Sequence, residues 1–289
     1  MIGCSWCLDY GYFHAHNEGL GSAADADDVV QETWLRWADV DRAEIRDPRA
    51  YLVRTVTRQS LNRIRTLARR RESYVGEWLP EPLLTSPDVA EDVELAESVS
   101  IAMLTVLETL GPTERAVFVL REVFDAPYDE IAGALDKSVA AVRQIAHRAR
   151  EHVAARRPRM EVSRAEQEAV VAQFRSAMVT GDLRALLDVL APDVVAVADG
   201  GGLAQAFPHP LEGALRIARM LARFPHFAPG VTVASVWING APALRVDPDG
   251  EYDSTISLVI ESGRITHLYS VRNPHKLAHL STPIPLTRA

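Results

Sequence analysis

The sequence predicts a mixed architecture, two all-α domains followed by an α+β domain. Three observations carry that expectation. Apolar residues recur with a helical period from Gly21 to Arg71 and again from Val89 to Arg157. Between them, Glu72 to Asp88 contains Pro80, Pro82 and Pro87, which forbid a continuous helix across the segment. After Glu161, helical periods give way to apolar runs punctuated by Asn239-Gly240, Pro248-Asp249-Gly250 and Glu261-Ser262-Gly263, which read as hairpin turns.

In the first helical block, Ser22 and Asp25 are candidate N-caps ahead of an apolar-periodic run. The helix that follows carries Asp27, Asp28, Gln31, Glu32 and Leu35 together with Trp34 and Trp37. The tryptophans read as core; the acids read either as a solvated face or as a docking surface for a basic partner. Arg54, Arg58, Asn62, Arg65 and Arg69 then recur at intervals of four, four, three and four residues. That spacing sets them on one face of a helix, with Val53, Val56, Ile64 and Leu67 on another. A line of arginines with one amide suits phosphate contacts and limited base reading.

Tyr128 to Val153 has the pattern of two helices joined by a tight turn. Ile131 and Leu135 share a face of the first helix, with the small Ala132 where a second helix must approach closely. Asp136-Lys137-Ser138 supplies the turn, with Ser138 as N-cap. The second helix places Val139, Val142, Ala146, Ala149 and Val153 on a buried stripe and Arg143, Gln144, His147, Arg148 and Glu151 on the opposite face. This suits a recognition helix, apolar inward and basic or polar toward base edges and phosphates; an ordinary amphipathic hairpin has the same apolar pattern.

After Glu161 the spacing predicts a helix through Val170, Val171, Phe174, Ala177 and Met178, and another through Leu183, Leu186, Leu187 and Leu190. A short strand over Val194–Ala198 ends in Asp199-Gly200-Gly201-Gly202, and a helix is expected from about Leu211 to Ala222. Strand-like runs follow at Val231–Ile238, Ala243–Val246, Thr255–Ile260 and Ile265–Val271.

Composition sets limits on function. The 289 residues are 47% hydrophobic and 24% charged, ordinary for a globular protein and unlike a disordered chain. No apolar run is long enough to cross a membrane, and Met1 to Tyr10 lacks the features of a secretory leader. Cys4 and Cys7 cannot build a disulfide framework, so a cytoplasmic location is expected. Cys4, Cys7, His14 and His16 do not match zinc-finger spacing, so neither a metal nor a cofactor is expected. The net charge of −8 argues against nucleic acid until its distribution is examined. Ten arginines face three acids between Asp41 and Arg71, and seven basic residues face Glu151 alone between Lys137 and Arg159. Glu72 to Asp136 holds fifteen acids and only Arg115 and Arg121. Two local positive segments in an acidic chain are the footprint of phosphate contact.

With these residues in view, Asp25 to Trp37 resembles region 2 of the extracytoplasmic-function sigma factors of bacterial RNA polymerase, and Gly111-Pro112-Thr113-Glu114-Arg115 through Arg150 resembles their region 4. Trp78-Leu79-Pro80-Glu81-Pro82-Leu83, the Asp199-Gly200-Gly201-Gly202 loop and Asn273-Pro274-His275-Lys276-Leu277 resemble the subgroup with a SnoaL-like C-terminal extension, a cone-shaped α+β domain. Together the motifs cover about Gly21 to Leu280. The resemblance implies region 2 over 1–71, a linker over 72–97, region 4 with its helix-turn-helix over 98–158, the SnoaL-like regulatory domain over 161–280 and a tail over 281–289.

It also implies roles. Asp27, Asp28, Gln31, Glu32 and Leu35 would dock on the β′ clamp helices of core RNA polymerase, whose β subunit is a further partner. Arg54, Arg58, Asn62, Arg65 and Arg69 would help read and melt the −10 element of promoter DNA. Ser138, Arg143, Gln144, His147 and Arg148 would read the −35 element in the major groove. Trp78, Pro80, Asp199, Gly200, Gly201, Asn273, Pro274, Lys276 and Leu277 would form a regulatory contact between the linker and the C-terminal domain. A pocket in that domain would take a small-molecule ligand. No chemistry is expected of the chain, which would direct initiation while the polymerase makes the bonds, and no membrane is expected as partner. The sequence departs from the subgroup at Leu203, where lysine is usual, at His275, where an acid is usual, and in Met1 to Leu20, which lacks the apolar stripe of an opening helix. Two rivals remain: a ligand-sensing helix-turn-helix repressor, and a SnoaL-like enzyme using Asp199, His209, His226 or His267 behind a DNA-binding front end.

Overall fold

The computed structural model describes residues 23–41, 43, 45–72, 74–87, 100–155, 163–251, 253–278, 280, 281 and 283, with side chains at all of these except 23, 24 and 67–72. The readings of Met1 to Leu20, including Cys4, Cys7, His14 and His16, and of the Arg69 and Leu67 side chains lie outside the described residues. The chain divides into two compact units. The described parts of Met1–Ser73 and Met103–Arg157 form the first, and those of Tyr74–Ala102 and Pro158–Leu286 form the second.

The first unit is helical: α1 (Ala23–Asp39), α2 (Pro48–Glu72), α3 (Ile101–Glu108, which begins in the second unit), α4 (Pro112–Phe118), a π-helical turn over Val119–Val123, α5 (Tyr128–Leu135) and α6 (Val139–Ala154). The apolar faces read from the sequence meet in one core. Val29 of α1, Val53, Val56 and Ile64 of α2, Val117 and Leu120 from the α4 stretch, Ile131 of α5 and Val142 and Ile145 of α6 pack together. Residues of the two helical blocks therefore share a core rather than filling one each. A second cluster joins α3 to α6 through Leu104, Leu107, Phe118, Ala149 and Val153. Arg115, only 4% exposed, donates to the Glu108 and Leu110 carbonyls and to the Glu108 carboxylate, which closes the α3–α4 turn. Asp25 does not cap α1: it lies in the first turn, buried, and accepts from Arg63 of α2 at 2.8 Å.

The second unit is a six-stranded sheet with α7 (Arg164–Thr180), α8 (Leu183–Val189), α9 (Ala214–Leu221) and α10 (Phe224–Phe227) on one face; its strands are β1 (Leu190–Asp199), β2 (Leu211–Glu212), β3 (Val233–Ile238), β4 (Ala241–Val246), β5 (Ser254–Glu261) and β6 (Arg264–Val271), and the short α11 (Pro274–Leu277) follows β6 on the other face. The strand order is β2-β1-β6-β5-β4-β3, antiparallel throughout except for the parallel pair β1 and β6. Phe174, Met178, Leu186, Ile217, Leu244, Ile256 and Leu258 fill the space between helices and sheet. This is the expected α+β domain.

Most boundaries fall within two residues of the sequence reading, and two differ by more. The helix expected from Leu211 starts at Ala214, because Leu211 and Glu212 pair with Ala196 and Val195 at the sheet edge. Gly213, at φ +91°, turns the chain and donates to the Val194 carbonyl. β1 starts at Leu190 rather than Val194, and its register with β6 shifts between Leu190 and Val195, around Pro192, which has no N–H to give a ladder.

Candidate functional site

In the second unit, the linker crosses the sheet face opposite the helices. Leu79, 1% exposed, packs with Val259, Tyr269, Val271 and Leu277 of that face. Leu84 bridges Ile238 in antiparallel sense, Thr85 N donates to the Trp237 carbonyl, and Asn239 N donates to the Leu83 carbonyl. The prolines keep the linker extended, so its backbone can extend the β3 edge instead of coiling into a helix.

Asp199, at the end of β1 and fully buried, is the hub of this contact. Its Oδ1 accepts from the Tyr74 hydroxyl and from Gly201 N at 3.1 Å. Its Oδ2 accepts from Leu79 N at 2.9 Å and from Lys276 Nζ at 2.7 Å. Lys276 Nζ also donates to the Leu79 carbonyl and stands 3.2 Å from the centroid of the Trp78 ring. Asn273 caps α11 by accepting from His275 N and donates to the Tyr74 hydroxyl at 2.9 Å. Burial, then the bond to Asp199, pushes the Tyr74 hydroxyl well above its usual pKa, so it stays a donor. Gly201 sits at φ +59°, and a Cβ there would meet Asn273 Nδ2 at 2.3 Å, so the glycine is a steric requirement of the site.

In the first unit, α5 and α6 meet through Asp136 in the left-handed region (φ 51°) and Ser138, whose Oγ accepts from Ala141 N. Arg143, Gln144, His147 and Arg148 are exposed on α6 opposite its buried stripe, which also takes in Ile145. The Arg143 guanidinium lies 5.6 Å from the Tyr128 ring centroid. On α2, Arg54 Nε donates to the Gly133 carbonyl at 2.9 Å, and Arg58 pairs with Asp136. Asn62 and Arg65 are exposed and bonded to each other at 3.2 Å. On α1, Asp28 pairs with Arg63 at 3.2 Å. Glu32 accepts from Arg36 at 2.8 Å and Gln59 at 3.0 Å. Those contacts, led by Arg36, hold the Glu32 carboxyl below its usual range. Asp27 and Gln31 face outward, and Leu35 is 66% exposed.

Residues 10–70 match the family model for sigma-70 region 2, and residues 100–153 that for sigma-70 region 4. The chain is 36% identical over 284 residues to the ECF RNA polymerase sigma factor SigJ of Mycobacterium tuberculosis, covering 93% of this chain and 90% of that protein. The chain belongs to the extracytoplasmic-function sigma factors. A probable sigma factor SigI of the same species is 32% identical, with 89% of this chain and 88% of that protein covered. The crystal structure of M. tuberculosis SigJ superposes with a TM-score of 0.76 at 32% identity, covering 96% of this chain and 97% of that chain.

The sigma-factor expectations meet the structure unevenly. Trp78, Asp199, Gly201, Asn273 and Lys276 come together directly, and Leu277 packs against Leu79. Pro80 is buried, Pro274 occupies the first turn of α11, and Gly200 accepts from Leu203 N and Ala204 N. Asp199, which precedes three glycines, bonds the linker and Lys276 as well as its own loop. Tyr74 was not singled out, and only its position four residues before Trp78, at the head of the linker, hinted at it. The Arg54 and Arg58 side chains turn toward α5, so the arginine line is not a free surface. The departures Leu203 and His275 are both exposed. Asp199, His209, His226 and His267 share no hydrogen bond among the described residues, and no group of three or more His, Cys, Asp or Glu there could hold a metal. No helix among them is long and apolar enough to cross a membrane.

Proposed function

We propose that this sigma factor docks on core RNA polymerase in the cytoplasm, directs it to promoters through its two helical regions, and is controlled by its own C-terminal domain. Asp27, Asp28, Gln31, Glu32 and Leu35 form the docking face for the β′ clamp helices. Arg54, Arg58, Asn62, Arg65 and Arg69 serve the −10 element. Arg143, Gln144, His147 and Arg148 read the −35 element, with Ser138 fixing the start of their helix. The chain itself carries out no chemistry.

The observation that carries the control reading is the buried contact of Asp199 and Lys276 with the backbone of Leu79. The segment joining the two promoter-reading regions is the segment the C-terminal domain holds. A separate restraint lies within the helical unit, where Arg54 and Arg58 are engaged by the helix-turn-helix and must be released before both meet DNA. Docking on polymerase supplies that release and fixes the spacing of two modest DNA contacts, so the second becomes effectively intramolecular.

The test is capture of core polymerase by the full chain. Wild-type protein is expected to bind, and Asp28→Lys with Glu32→Lys to lose binding while keeping the wild-type melting temperature. Capture that survives both reversals refutes the docking face. Tight sequence-specific duplex binding without polymerase would favour a repressor instead.

A further inference from the structure

The interior of the C-terminal domain, where a cone-shaped fold would hold a ligand, is filled: Phe174, Met178, Leu186 and Leu244 there are all under 2% exposed. Besides a cavity along α9 and α10, space is found on the opposite face of the sheet. A cavity of about 500 Å³ opens there between β3, the linker and the C-terminal segment. Its apolar walls include Leu84 of the linker, Val236 and Ile238 of β3, and Leu277 of α11.

Its polar end holds Arg245, Asp249 and Asp253. Arg245 Nη2 alone serves both oxygens of Asp253, at 2.7 Å and 2.8 Å, and Oδ1 is buried with no donor in hydrogen-bonding geometry. The β4–β5 connection from Asp247 to Asp253 contains four acids and no base. Among the described residues, Arg272 donates to the Glu251 and Gln205 backbone carbonyls. Burial raises the Asp253 carboxyl above its usual range against the pull of Arg245, and Asp249 and Asp247 push the same way. One guanidinium thus faces the two carboxylates of Asp249 and Asp253 at this end, and a second positive donor would balance them.

We propose that this cavity binds a small cationic amphiphile, with a protonated amine on Asp253 and Asp249 and an apolar body between Leu84 and Leu277. Such a ligand would clasp the linker to the sheet. Its binding stands independently of the sigma-factor reading; only its effect on transcription rests on that reading.

The test is calorimetric titration of the full chain with octylamine, octanoate and 1-octanol, three probes with the same chain length and different heads. Saturable octylammonium binding is expected, about tenfold tighter than either other probe, since a charge-assisted hydrogen bond corresponds to roughly that factor. Asp253→Asn and Ala234→Trp, the latter filling the cavity from its rim, should each weaken it about tenfold or more. Asp249→Asn, on an exposed turn, gives an independent check should either variant fold poorly, and is expected to weaken binding severalfold. Octylammonium binding should also weaken as acid protonates Asp253. Absence of saturable binding, equal affinity for all three heads, or undiminished binding in the folded variants overturns the proposal.

Discussion

Lys276 Nζ stands 2.7 Å from Asp199 Oδ2, with the two side chains 5% and 0% exposed, and both groups also bond the backbone of Leu79. A buried ion pair of this kind is costly to create and costlier to break on one side. Lys276→Met leaves Asp199 buried without its cation and should destabilise the second unit by about 3–5 kcal/mol. Adding Asp199→Asn should recover part of that loss. Denaturant unfolding of the full chain, with protease cleavage of the linker as local readout, checks both.

The Arg58–Asp136 pair is exposed on both sides, so it contributes little to stability. Its consequence is for DNA. Asp136→Asn, which tolerates the left-handed backbone, should leave the melting temperature nearly unchanged and tighten promoter binding by polymerase holoenzyme severalfold, because Arg58 loses its carboxylate partner. Arg58→Ala should weaken binding and reduce the slope of log affinity against log salt by about 0.9, the value of one duplex phosphate contact. Holoenzyme titrations of promoter DNA across a salt series measure both.

Arg143 on α6 should behave differently from Arg58. Arg143→Ala is expected to cost about 1–3 kcal/mol on the preferred −35 sequence and to relax the preference there, whereas Arg65→Ala should weaken all promoters alike. Binding to a panel of −35 variants separates the two patterns.

Glu130 of α5 lies 3.5 Å from Arg49 of α2, and burial raises its carboxyl above the usual glutamate range. A carboxyl raised on folding holds its proton longer in the native state, so the contribution of Glu130 to stability is greatest at acid pH and falls as pH rises past the ordinary range toward the raised value. Glu130→Gln should flatten that fall in a series of melting temperatures against pH.

The helical blocks were legible because Val53, Val56 and Ile64, and Val142, Ala146 and Val153, keep a helical period and do pack inward. The linker was legible through Pro80 and Pro82, and Asp199 and Lys276 through the family motifs. Periodicity could not show that Val29, Val53, Ile131 and Val142 share one core, because it states which face is apolar and not what covers it. The parallel pairing of β1 with β6 was hidden for a like reason: a register between strands some seventy residues apart leaves no local signal. Tyr74 was missed because an isolated tyrosine has no period and no motif of its own. Its role depends on Asp199, 125 residues away.

On the function proposed above, this chain gives core RNA polymerase its promoter choice under the control of the Asp199–Lys276 contact. Start sites captured from genomic DNA transcribed by core polymerase, with wild-type chain or with Asp199→Asn, test it directly. Initiation at a defined promoter set is expected only when the chain is present, with output changed severalfold by Asp199→Asn at the same start sites. Initiation no different from core polymerase alone, or identical output from the two proteins, would contradict it.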